Sequence, residues 1–94
     1  MRLYEEEVAV LKNRLAALSL DAKLYLFGSR VDDNARGGDI DLLVVSDKLT
    51  KKDLRLLRVY FFKHFGEQKL DIVLDDSQFK NPFTKHIFQK AVLL

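Results

Sequence analysis

Residues 26–30 read Leu26-Phe27-Gly28-Ser29-Arg30, and residues 37–45 read Gly37-Gly38-Asp39-Ile40-Asp41-Leu42-Leu43-Val44-Val45. An apolar strand runs into a Gly-Ser turn, and a polar loop follows. Two aspartates one residue apart then enter a second, strongly apolar strand. Successive strand side chains point to opposite faces, so Asp39 and Asp41 share one face. Two carboxylates on one face repel each other unless a cation sits between them. Carboxylate and phosphate oxygens together suit Mg²⁺, which keeps an octahedral shell and takes only one or two protein carboxylates. A Gly-Ser turn beside them brings backbone N–H groups close to phosphate. The stretch predicts a site that holds a metal-bound nucleoside triphosphate.

Outward from this stretch, the hydrophobic periodicity switches between helix and strand. Tyr4, Val8, Leu11, Leu15 and Leu18 recur at four-three spacing, which predicts an amphipathic helix before the first strand. Leu24 to Phe27 and Ile40 to Val45 read as strands, the second apolar enough to be covered on both faces. Residues 29–38 read as a turn with a short helix, and Ser46-Asp47-Lys48 as a turn. Thr50 and Asp53 have the spacing of a capping box. They open a helix carrying Leu54, Leu57, Phe61 and Phe65, with Gly66 as its stop. Lys69 to Leu74 reads as a third strand with Asp71 inside it. Asn81 and Pro82 read as the cap and first residue of a last helix. Phe83, Ile87 and Ala91 form its apolar stripe, and it ends in Val92-Leu93-Leu94. The order helix, strand, strand, helix, strand, helix predicts an α/β (α+β) domain, a small mixed sheet with helices packed on it.

The chain has 94 residues, 48% of them hydrophobic, which suits one domain over residues 1–94. Without cysteine it has no disulfide, zinc-thiolate site or thiol chemistry. His64 and His86 show no metal-ligand spacing. No apolar run is long enough to span a bilayer, and Glu5-Glu6-Glu7 does not fit a secretory signal, so a cytoplasmic protein is expected. The net charge of +2 is mild and does not indicate nucleic-acid binding. Lys51, Arg55 and Arg58 form a basic stripe expected on the helix face opposite Leu54, Leu57 and Phe61. A solvated face explains such a stripe, and contact with RNA or an acidic partner is the functional alternative. Phe61, Phe62 and Phe65 read as core, with Phe62 off the main stripe and a candidate interface residue.

Gly28-Ser29, then Gly38-Asp39-Ile40-Asp41-Leu42, then Asp71 between Leu70 and Ile72 resembles the nucleotidyltransferase superfamily that includes DNA polymerase β. In that superfamily an apolar-Gly-Ser motif, an Asp-x-Asp motif and a third acidic residue recur in this order. The small size resembles the minimal nucleotidyltransferase branch, some of whose members are antitoxins paired with HEPN-domain toxins. The loop departs from the pattern: Val31-Asp32-Asp33 follows Arg30, and Gly38 rather than Ser precedes the first Asp.

The resemblance implies that Asp39, Asp41 and Asp71 are catalytic residues that ligate two Mg²⁺ ions. It implies that Gly28, Ser29 and Arg30 bind the triphosphate. Asp71 would serve the acceptor side, with Asp75 and Asp76 as rivals that turn formation also explains. The implied activity is transfer of AMP from ATP to a hydroxyl acceptor on a partner protein, with a HEPN-type helical protein or a second copy supplying the acceptor surface. The alternative is a binding module that neutralises its partner by contact, with weak catalysis or none.

Overall fold

The computed structural model describes residues 5–28, 40–66 and 70–94. Among these residues, three helices and four strands follow one another as α1 (Glu5–Leu18), β1 (Lys23–Phe27), β2 (Ile40–Val45), α2 (Lys51–Phe65), β3 (Leu70–Asp75), α3 (Pro82–Lys90) and β4 (Val92–Leu93). The strands form one mixed sheet in the order β3-β2-β1-β4. β1 is antiparallel to β2 and to β4, whereas β2 and β3 are parallel. A parallel pair needs a crossover, and α2 provides it.

The continuous apolar run of β2 is covered on both faces, as expected. Ile40, Leu42 and Val44 join Leu24, Leu26 and Leu70 under α1 and α2, where Leu11, Leu15, Leu54, Leu57 and Phe61 complete the larger core. Leu43 and Val45 point the other way, toward Ile87 of α3, with Tyr25, Phe27, Val73 and Phe79 packed around them. Leu42, Leu43 and Val44 are fully buried. Phe62 and Phe65 pack against the larger core.

Local chemistry sets the boundaries. Thr50 accepts from the Asp53 backbone N–H, and the Asp53 carboxylate accepts from the Thr50 N–H at 2.9 Å, so the capping box is complete. Gly66 ends α2 at φ +78°, a conformation costly for a residue with a Cβ. Asn81 caps α3, with Pro82 in its first turn. At the end of β2, the Ser46 hydroxyl accepts from the Lys48 and Leu49 backbone N–H groups, while its own N–H donates to the Asp75 carbonyl. That contact ties the ends of the two parallel strands together.

Three expectations change. The last helix stops at Lys90, and Val92–Leu93 pairs with β1 as a strand, a register that Leu94 extends by donating to the Leu24 carbonyl. The buried stripe of α3 is Thr84 and Ile87, while Phe83 is 58% exposed and Ala91 lies beyond the helix. Thr84 is turned inward because its hydroxyl donates to the Asp75 carboxylate. Finally, Lys51, Arg55 and Arg58 do not stand opposite the core. They border a groove shared with Leu54 of α2 and Ile72 and Leu74 of β3.

Candidate functional site

β1 ends where β2 begins. In the antiparallel register Phe27 faces Asp41, which brings Gly28 next to the Asp41 side chain. Gly28 has φ +79°, and a Cβ on it would overlap the Asp41 carboxylate, with Asp41 Cγ only 3.0 Å away. Glycine is thus required twice at this turn: by its backbone angle and by the close approach of a carboxylate. The sequence assigns this glycine to phosphate approach, and it has no signal for the contact with Asp41.

The parallel register places Asp41 opposite Asp71. Neighbouring strands lie about 4.8 Å apart, and register partners in a parallel pair project from the same face. The two carboxylates therefore stand side by side at one end of the sheet. They share the face of Leu43 and Val73, the α3 side. Asp41 is half-buried and Asp71 is exposed. A carboxylate inside an apolar strand calls for a partner only where it is buried, and Asp71 is exposed. No burial cost demands a partner for this carboxylate, and its interest rests on its register with Asp41. Pairing between strands so distant in sequence is not readable from local pattern.

Asp75, a rival to Asp71, has another job. It ends β3 nearly buried, 7% exposed. Its Oδ1 accepts from the Ser77 N–H at 2.9 Å and the Phe79 N–H at 3.1 Å, and its Oδ2 from the Thr84 hydroxyl. These donors occupy the carboxylate and hold a turn in which Ser77 and Phe79 both adopt positive φ. Asp76 caps the same turn by accepting from the Gln78 N–H. Both rivals are accounted for by local structure.

Asp39, Ser29 and Arg30 lie outside the described residues. Among the described residues, no three His, Cys, Asp or Glu side chains converge on one point. The described part of the candidate site is therefore Gly28, Asp41 and Asp71. Adjacent carboxylates are hard oxygen donors whose mutual repulsion a divalent cation relieves, so their chemistry fits Mg²⁺. Among the described residues, no helix is long and apolar enough to cross a membrane.

A paired-carboxylate strand end beside a glycine turn, on a mixed sheet flanked by helices, is consistent with a nucleotidyltransferase fold. No curated protein matches the chain. The family model of the nucleotidyltransferase domain matches residues 8–93, from the first helix through the last strand. The chain belongs to the nucleotidyltransferase domain family.

Proposed function

We propose that the chain is a Mg²⁺-dependent nucleotidyltransferase that moves AMP from ATP to a hydroxyl of a partner protein, as the antitoxin-like half of a pair with a HEPN-type toxin. The compartment this reading implies is the cytoplasm. Membership of the family supports nucleotidyl transfer in general. The observation that carries the site is the register that sets Asp41 beside Asp71 next to Gly28.

In this reading Asp39, Asp41 and Asp71 hold the metal, and Gly28, Ser29 and Arg30 hold the triphosphate. Bound Mg²⁺ supplies charge neutralisation to the attacking and leaving oxygens of an in-line displacement. Asp71, exposed at the edge of the sheet, takes the proton of the acceptor hydroxyl. The acceptor oxygen forms a bond to the α-phosphorus, the bond from that phosphorus to the bridging oxygen breaks, and pyrophosphate leaves. Gly28 keeps the turn close to Asp41, so the triphosphate tail and the carboxylates occupy one small volume.

The test separates binding from transfer. Calorimetry with Mg-ATP should show affinity lost in Asp41→Asn and largely kept in Asp71→Ala. Transfer of label from radiolabelled ATP to the adjacent gene's product should be lost in both. Unchanged Mg-ATP affinity in Asp41→Asn would refute the site. A protein that labels a free small molecule without a partner would refute the acceptor assignment.

A further inference from the structure

On the opposite face of the sheet from Asp41 and Asp71, α2 and β3 enclose an open groove of about 340 Å³. Its floor is apolar, made by Leu54, Ile72 and Leu74, and its wall carries Lys51, Arg55 and Arg58. These cations recur at four- and three-residue spacing, so they stand on one edge of α2 above β3. Among the described residues none of them has a carboxylate partner; the ion pair the surface does show joins Lys48 to Asp21. Three like charges along one groove, without a carboxylate partner among the described residues, repel each other, and an anionic occupant relieves that repulsion.

The neighbouring strand narrows the choice of anion. β3 is the outer strand of the sheet, and no described strand pairs with its outer side. An edge strand offers a row of backbone donors and acceptors to an added strand. Nucleic acid would call for flat aromatic surfaces on which bases stack. The aromatic residues of α2 nearest the core, Phe61, Phe62 and Phe65, are instead packed inward. An extended peptide uses all three features at once: the edge hydrogen bonds, the apolar floor and the cationic wall.

We propose that this groove docks an extended acidic segment of a partner protein, which adds as a strand to the edge of β3 with its carboxylates against Lys51, Arg55 and Arg58. The site lies on the other face of the sheet from the carboxylates proposed for transfer and does not depend on that reading.

The probe is a short fluorescein-labelled peptide of alternating Glu and Val, with a Lys and Val peptide and labelled oligoadenylate alongside. Fluorescence anisotropy should show saturable binding of the acidic peptide alone. Arg55→Glu and Arg58→Glu together should weaken it at least about tenfold, the expected scale for losing attraction and adding repulsion at a charged pair. Circular dichroism and calorimetric Mg-ATP affinity should stay as in the parent, because both changes lie on the outer edge of α2. In ¹⁵N-correlated NMR spectra, β3 amides should shift and gain protection from hydrogen exchange. Absence of saturable peptide binding would overturn the proposal. So would peptide binding indifferent to the two reversals, β3 amides unaffected at saturation, or oligoadenylate binding more tightly and lost in the same variant.

Discussion

Replacing Gly28 with alanine probes the junction between turn and carboxylate. At φ +79° an alanine carries the left-handed penalty of about 1–2 kcal/mol. Its Cβ also overlaps the Asp41 carboxylate, and displacing a packed neighbour costs about 1–3 kcal/mol. Against this, alanine restricts the unfolded chain and returns about 0.4–1 kcal/mol. The net loss is about 3 kcal/mol, or a fall in Tm of about 15 °C for a chain of this size. The steric part can be isolated by repeating the substitution in an Asp41→Ala background. There the carboxylate is gone, only the Cβ at 3.2 Å remains, and the cost should drop to the backbone penalty. A double-mutant cycle by urea denaturation should therefore give a coupling of about 1–2 kcal/mol. Equal costs in the two backgrounds would show that the Asp41 carboxylate does not rest on Gly28, and the geometric basis of the candidate site would fall.

Other outcomes follow from particular contacts. Asp71→Asn removes one of two like charges held in register, so without divalent ions it should raise stability by about 0.5–1 kcal/mol, and the stabilisation conferred by added Mg²⁺ should shrink. Thermal melts in chelator and in Mg²⁺ read both effects, and a lowered Tm in chelator would contradict the repulsion. Asp75→Ala leaves the Ser77 and Phe79 amides without their acceptor, while the Thr84 hydroxyl keeps the Asn81 carbonyl at 3.1 Å, so denaturation should show a loss of about 2 kcal/mol. Mg-ATP affinity of the folded protein should be unchanged, and a loss of affinity with the fold intact would return Asp75 to the site. The Asp21 carboxylate, by hydrogen bond and then by charge, raises the Lys48 pKa above its ordinary 10.5, with Asp47 adding to it. A raised cation stabilises the fold fully below its unfolded pKa and loses that contribution as pH rises through the folded value. The difference in stability between parent and Lys48→Met should therefore be flat through neutral pH and vanish only above about pH 10.5; a difference that already changes between weakly acidic and neutral pH would contradict this pairing.

Much of the architecture is local and was legible in the residues themselves. The end of β2 and its burial on two faces follow from the apolar run Leu42-Leu43-Val44-Val45, with Ile40 and Asp41 at its start. The start of α2 follows from the Thr50 and Asp53 capping box, its end from Gly66, and the start of α3 from Asn81 and Pro82. These signals are short-range, because a cap or a turn depends on atoms a few residues apart. The motif order Gly28-Ser29, Asp39-Ile40-Asp41, Asp71 was legible too, as a resemblance to the nucleotidyltransferase superfamily.

Tertiary structure decided what depends on pairing between distant segments. A two-residue strand has no periodicity of its own, so β4 exists only because β1 offers it an edge. Asp75 looks like any turn aspartate until Thr84, nine residues on, is packed against it. The stripe of Lys51, Arg55 and Arg58 reads as a solvated face until β3 is laid beside α2 and closes a groove under it. Most directly, the resemblance implies that Asp41 and Asp71 share a site, but no local pattern states which residue of β2 stands beside which residue of β3. The parallel register of β2 and β3 puts them side by side, and that register is set by which apolar side chains each strand can bury together.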